Sequence, residues 1–295
     1  MAKILMTGAT GFIGSHAVEN LARNHHVLGL YHQKEPPRGL KKAIWIKKDL
    51  SLPINGLNLP TSPDIIIHFA QSRHYRDFPE RSRDIFDVNI RSTFSLLEFG
   101  RKVGIQKFIY ASSGGIYGYS YERFMETDII NPVNFYLTSK YCSELLIANY
   151  NNFFTTVIFR FFFVYGKEQK EMLIPRLIKR IREKAPIILH GESGIRINPI
   201  HISDAVKIFA PAVESKVSGV FNVSGDEVMS IRELAEIIGD LIGESPRFVR
   251  EKSSIPGDVL GDNSRMKSVL GVIPEVSLKE GISAMIQASS TDQRK

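Results

Sequence analysis

Tyr136 and Lys140 stand four residues apart in the segment YLTSK, and Ser113 precedes them in YASSGGIYG. On a helix that spacing puts phenol and ammonium on one face. A phenol with an ordinary pKa near about 10 is a poor acid or base at neutral pH, and an adjacent ammonium lowers that value by stabilising the phenolate. The pair could therefore carry a proton to and from a substrate oxygen, with the Ser113 hydroxyl holding that oxygen from the other side. Alone, a tyrosine and a lysine at this spacing are common on amphipathic surface helices, so the weight comes from the elements that position them.

Those elements begin at once. Lys3 to Gly14 read KILMTGATGFIG, an apolar run that meets glycines at Gly8, Gly11 and Gly14 and then turns into a helix. Gly8 permits a tight turn off a strand at 3–7, Gly11 lets the main chain approach a pyrophosphate, and Gly14 lets a helix at 12–24 pack closely on the sheet. The first N–H groups of that helix face the phosphates. Gly8, Thr10, Gly11, Phe12, Ile13 and Gly14 are accordingly the expected phosphate-side contacts.

Further apolar strands at 26–31, 43–46, 64–69, 106–112 and 155–162 alternate with helices at 83–103 and 134–153. Short continuous apolar strands between helices predict an α/β chain, a Rossmann-type doubly wound parallel sheet covered on both faces. After Gly166 the pattern becomes irregular: helix 172–184, strand 187–190, a helix from Ser203 to Ser215, strand 219–223 and helix 230–243. Ser230 followed by Glu233 is a capping box opening the last of these. The expected division is a dinucleotide-binding domain at 1–166, a smaller α+β substrate-binding lobe over most of 167–287, and a polar, patternless tail at 288–295 that frays. Ligands belong in the cleft between the lobes, at the carboxyl ends of the strands.

With 295 residues, 43% hydrophobic and 23% charged, the chain can bury a sizeable core. Its single cysteine, Cys142, excludes an internal disulfide and a multi-cysteine zinc cluster, and fits a reducing cytoplasm. The chain opens without a charged-then-apolar leader, and no apolar run approaches the roughly 20 residues that cross a bilayer. A net charge of +7 could attract nucleic acid, but the basic residues are dispersed and lack the aromatic interleaving of single-strand binders. An enzyme of phosphorylated ligands is also basic around its cleft, so neither nucleic acid nor membrane is an expected partner. No histidine pair shares a face with a third ligand, so no metal is expected, and His68 reads as a buried loop residue.

A phosphate loop, a serine at a later strand end and a Tyr–Lys pair on the next helix together resemble the extended short-chain dehydrogenase/reductase family, which contains the NAD-dependent epimerases and dehydratases. TGATGFIG is similar to that family's cofactor loop, Asp49–Leu50 to its adenine-contacting pair, and His68–Phe69–Ala70–Gln71 to its stretch beneath the nicotinamide-side ribose. Asn89 in DVNIRST matches its helix asparagine, and Ser113, Tyr136 and Lys140 fall on its catalytic triad. RFFFVYG at 160–166, with Phe161 and Phe163, resembles the segment beside the nicotinamide; HISDA at 201–205 and PGDVLGDNSRMKSVLG resemble motifs of the second lobe and C-terminus. The resemblance implies that Lys140 also binds the nicotinamide ribose, that the substrate is a nucleotide-activated sugar, and that helices 83–103 and 134–153 form the interface of a homodimer.

The departures narrow the function. Where a binder of NAD places an acid on the ribose 2′-hydroxyl, this chain reads Tyr31-His32-Gln33-Lys34, with Arg38 further on. His32, Lys34 and Arg38 suit a 2′-phosphate, so the expected cofactor is NAD(P), with NADP ahead of NAD. Dehydratases of the family follow the catalytic hydroxyl residue with an Asp–Glu pair; here Gly114–Gly115 stand there, which argues against 4,6-dehydration. Similar UDP-sugar epimerases grip the diphosphate with an asparagine and two arginines, and the matching positions hold Phe163, Ile197 and Ile255. Arg176, Arg180, Arg196, Lys252 or Arg265 is the expected substitute, since a guanidinium fork suits phosphate, but spacing does not choose among them. The expected activity is epimerisation of a nucleotide sugar by transient hydride transfer. The alternatives are an NADPH-dependent 4-keto-sugar-nucleotide reductase and a non-catalytic dinucleotide sensor.

Overall fold

The computed structural model describes residues 1–37, 39, 42–52, 59, 61–252 and 257–292; Arg38 and Ile255 lie outside them. Seven strands form one parallel sheet: β1 (Lys3–Thr7), β2 (His26–Tyr31), β3 (Ala43–Lys47), β4 (Ile65–His68), β5 (Lys107–Ser113), β6 (Thr155–Phe161) and β7 (Gly219–Val223). Their spatial order is β7-β6-β5-β4-β1-β2-β3, with the turn-around of a doubly wound sheet between β4 and β1.

The strands are apolar on both sides because both sides are covered. Ile4 and Met6 of β1, Ile65 and Ile67 of β4, and Ile109 of β5 pack into a core shared with Ala17, Val18 and Leu21 of helix α1 (Phe12–Leu21). Their neighbours Leu5, Ile66, Phe108 and Tyr110 point the other way, onto Leu96 and Leu97 of a long helical segment. That segment comprises α2 (Ser82–Ile85), a π-helical stretch Phe86–Arg91 and α3 (Ser92–Val103). The uniform helix expected over 83–103 thus contains a one-residue-wider turn. Such turns often mark functional positions. Here it carries Asn89, with the Ser92 and Thr93 hydroxyls donating to the Val88 and Asn89 carbonyls at 2.5 Å.

Helix α4 (Phe135–Ala148) follows β5, and α5 (Leu173–Arg182) opens the second lobe. The expected helix from Ser203 to Ser215 is divided into α6 (Ile202–Ala205), a short 3-10 stretch and α7 (Phe209–Glu214). The second lobe's core joins Ile174, Leu177, Ile178 and Ile181 of α5 to Leu234, Ala235 and Ile238 of α8 (Ile231–Ile242), whose capping box is formed at Ser230 and Glu233.

Two features differ from the sequence expectation. β7, grouped with the second lobe by its position after Gly166, pairs in parallel with β6 from Gly219↔Val157 to Val223↔Phe161 and completes the central sheet. Phe209 of α7 likewise joins the central core, its ring 5.0 Å from Phe69 and 5.5 Å from Phe159. The final helix, Leu278–Asp292, continues past Ala288 into the stretch read as tail.

Candidate active site

The carboxyl ends of β1 and β4 build the cradle. Gly8 has φ +63, and a Cβ there would stand 2.6 Å from the Ala70 amide nitrogen; a Cβ on Gly14 would stand 2.2 Å from the Gly8 carbonyl oxygen. The turn closes through Gly11 N–H donating to Gly8 O at 2.9 Å. Gly11 caps α1 without a side-chain hydrogen bond, and the first turn carries no acid. Main chain rather than side chains therefore faces the space beyond Thr10, Phe12 and Ile13, as a pyrophosphate requires. The residues present fit a dinucleotide.

At the adenosine end, His32 Nε2 stands 3.5 Å from Asp49 Oδ2, and Asp49 accepts from Ser51 N–H at 2.8 Å. Burial raises the Asp49 pKa, yet the Ser51 hydrogen bonds and the nearby His32 and Lys48 hold it below its ordinary value. Leu50 is buried behind it, and Lys34 is exposed. Sequence reasoning missed Arg73, whose Nη1 donates to Gln33 Oε1 at 2.6 Å and brings a guanidinium to this end.

The chemistry-bearing side chains are carried by the carboxyl end of β5 and the first turns of α4. Ser113 ends that strand, its Oγ accepting from Gly115 N–H at 3.2 Å. Asn134 caps α4 by accepting from Leu137 N–H at 2.9 Å, which fixes Tyr136 in the first turn and Lys140 one turn on. The Tyr136 hydroxyl donates to Gln71 Oε1 at 2.9 Å, and the Tyr75 ring lies 5.2 Å from the Tyr136 ring. Lys140 is buried; its Nζ donates to Ala111 O at 2.5 Å and lies 4.5 Å from the centre of the Tyr110 ring. Burial brings its pKa down to about 7, against the charge of Glu144. The Tyr136 pKa is pushed up, first by burial and then by Tyr75. The expected depression of Tyr136 by Lys140 is thus not what this arrangement produces: the ammonium is committed to a carbonyl.

Asn89 supports the site from behind. Its Oδ1 accepts from Ser72 N–H and its Nδ2 donates to Ser139 Oγ, both at 2.8 Å, so it ties the loop after β4 to α4. His68 is fully buried between Thr7 Oγ1 (2.6 Å) and Thr93 Oγ1 (3.0 Å), and burial lowers its pKa to about 3, leaving it neutral. Phe161 is buried at the end of β6. The Glu144–Arg160 pair beneath α4 was also missed; an arginine inside the apolar run FRFFF is the signal that a buried carboxylate must oppose it.

The proposed substrate cations do not converge. Arg180 donates to Pro186 O, Arg176 and Lys252 are exposed elsewhere, and Arg265 lies along β7, donating to Val220 O at 3.0 Å. Arg196 lines a cavity of about 470 Å³ with Tyr121, Ser193, Gly194, Arg232 and Asp258, and Arg265 lines a separate one of about 480 Å³ with Met125, Glu126 and Val220. Arg196 is neutralised by Asp258, at 2.7 Å from Nη2. Ile197 is fully buried, and Phe163 holds a left-handed backbone with φ 46 while packing against both the second-lobe core and the cluster around Tyr117 and Phe162. Among the described residues no cluster of His, Cys, Asp or Glu could hold a metal, and no helix is long and apolar enough to cross a membrane.

A doubly wound sheet ending in a glycine cradle, beside a serine, a tyrosine and a lysine, defines an enzyme of the dinucleotide-dependent extended short-chain dehydrogenase/reductase type. The model of the NAD dependent epimerase/dehydratase family matches residues 4–224, and the chain belongs to that family. It is 30% identical over 315 residues to a putative UDP-glucose 4-epimerase of Methanocaldococcus jannaschii, covering 99% of each chain. It is 27% identical over 311 residues to the dTDP-D-glucose 4,6-dehydratase of Homo sapiens, covering 97% of this chain and 89% of that one. The crystal structure of UDP-glucuronic acid 4-epimerase from Bacillus cereus, in complex with UDP-glucuronic acid and NAD, superposes with a TM-score of 0.85 at 29% identity, covering 98% of this chain and 99% of that one.

Proposed function

We propose that the chain is an NAD(P)-dependent epimerase of a nucleotide-activated sugar, working by transient hydride transfer. The observation that carries this reading is the placement of Ser113 at the end of β5 and of Tyr136 and Lys140 on α4, with Tyr136 bonded to Gln71 after β4 and Lys140 bonded to Ala111 of β5, on the same sheet edge as the glycine cradle. Gly114–Gly115 favour it over dehydration, since neither residue can act as acid or base. The 4-epimerases among the similar proteins support it.

When bound, the dinucleotide supplies the uptake and return of hydride at the sugar carbon. Tyr136, once its phenol has given up its proton and stands as the phenolate, would take the proton from the hydroxyl on that carbon and later give it back. Ser113 donates to the same oxygen, which steadies the carbonyl that forms there. Lys140, held by the Ala111 carbonyl, supplies positive charge beneath the site in its protonated form. Between the two proton transfers the sugar must present its other face, so the cleft has to hold the nucleotide while leaving the sugar free to turn.

The absence of an acid at 31–34, the exposed Lys34 and the nearby Arg73 support acceptance of NADP alongside NAD. Exposed apolar side chains at Phe86 (44%), Phe94 (49%) and Leu145 (50%), on the π-helical stretch, α3 and α4, support a homodimer through these helices. The single cysteine is compatible with a cytoplasmic setting.

Mass spectrometry of ligand carried through gentle purification should find a dinucleotide and a sugar nucleotide. The purified protein should then interconvert two epimers of that sugar nucleotide with no net change in cofactor. Stoichiometric consumption of NADPH would replace this reading with a reductase.

A further inference from the structure

The Tyr136 hydroxyl meets a carboxamide, not the two groups expected around it. Its hydrogen bond runs to Gln71 Oε1 at 2.9 Å, while Ser113 Oγ accepts from Gly115 N–H and Lys140 Nζ donates to Ala111 O. The backbone on either side of Gln71 is held in place. Ala70 N–H donates to Thr7 Oγ1 at 3.2 Å, and Ser72 N–H donates to Asn89 Oδ1, whose Nδ2 reaches Ser139 on the helix that carries Tyr136.

An acid–base group alternates between two protonation states in each turnover. As a phenol it needs an acceptor, and as a phenolate it needs a donor. An ammonium serves one state and a carboxylate the other, whereas a carboxamide presents an acceptor and a donor from the same position by rotating its end through half a turn. We propose that Gln71 is a positioning residue for Tyr136, accepting from the phenol through Oε1 and donating through Nε2 to the phenolate. This rests on the reading of Tyr136 as the proton-transfer group. The titratable groups that act on the same hydroxyl are Tyr75, from the loop after β4, and Tyr110 of β5, while Lys140 on α4 is turned to the Ala111 carbonyl.

The test compares Gln71→Met, similar in length but without donor or acceptor, with Gln71→Glu, an acceptor only. Gln71 is exposed, so both variants should fold. Tyrosinate absorbance is titrated as the difference between each protein and its Tyr136→Phe partner, which needs no substrate. Tyr136 should titrate about one pH unit higher in Gln71→Met and higher still in Gln71→Glu. Turnover of UDP-glucose or UDP-glucuronic acid should lose about tenfold at neutral pH and recover at high pH, with KM little changed. Titration curves that coincide in all three proteins would overturn the proposal, as would a loss of turnover equal at every pH. Full turnover in Tyr136→Phe itself would overturn the catalytic reading beneath it.

Discussion

Arg160 of β6 grips Glu144 of α4, Nη2 to Oε2 at 2.7 Å and Nε within 3.2 Å of both oxygens, with both side chains buried. Arg160 also donates to the Tyr117 hydroxyl, 2.5 Å away. The pair fixes the helix that presents Tyr136 and Lys140 against the sheet that presents Ser113. Removing one partner strands a charge: Glu144→Gln should cost about 3–5 kcal/mol. Thermal unfolding of Glu144→Gln, Arg160→Met and the double variant checks this. The two losses should fall well short of adding.

Tyr136→Phe should keep fold and cofactor affinity and lose at least about a hundredfold in turnover, the lower range for an acid–base group. Circular dichroism, cofactor titration and initial rates on one preparation decide it. Near-normal rates would remove Tyr136 from the mechanism.

Lys140 gives a pH dependence of known sign. Burial takes its pKa from 10.5 to about 7, so between those values the unfolded chain binds a proton that the folded chain lacks. Stability from this group rises with pH through that window and is lost as pH falls through about 7. In cofactor-free protein, the stability of wild type relative to Lys140→Met should climb from pH 7 to pH 9, by at most roughly 1.4 kcal/mol per unit. A flat difference would mean that Lys140 keeps its ordinary pKa.

NADP(H) should bind at least as tightly as NAD(H). Lys34→Ala should weaken NADP(H) about tenfold, the worth of one charge-assisted phosphate contact, and leave NAD(H) unchanged. Calorimetric titration of both cofactors measures this, and a clear preference for NAD in the wild type would overturn it.

UDP alone should bind weakly, because Phe163 and Ile197 offer a diphosphate no fork and Arg196 is already paired with Asp258. Phe163→Asn, placing at a left-handed position a residue that tolerates it, should tighten UDP binding. Competition with a panel of nucleoside diphosphates would show it. Tight, selective UDP binding that survives Arg196→Ala would contradict the prediction.

Local pattern carried much of this far. The limits of β1 and β2 follow from apolar runs bounded by polar or glycine residues, and the structure has Ser113 ending β5 and Tyr136 and Lys140 one turn apart on α4. What stayed hidden is nonlocal. Nothing near Gln71 indicates a partner sixty-five positions away. Nothing in FRFFF names Glu144 as the opposing charge, and the five scattered cations could be sorted only by seeing which of them already had partners. The π-helical stretch at Phe86–Arg91 adds a residue to a turn without any glycine or proline in FDVNIR to announce it.

The pairing of β7 with β6 has a consequence for how the molecule is made. A chain ended after Gly166 would contain the cradle and the triad, yet β6 would be an open edge, its ladder groups from Val157 to Phe161 without their β7 partners. The two lobes are therefore not separate folding units. Synthesis must pass Val223 before the sheet closes, so the nascent chain carries Ser113, Tyr136 and Lys140 on an unfinished, association-prone sheet. Unfolding of the finished protein should correspondingly be a single cooperative event shared by both lobes.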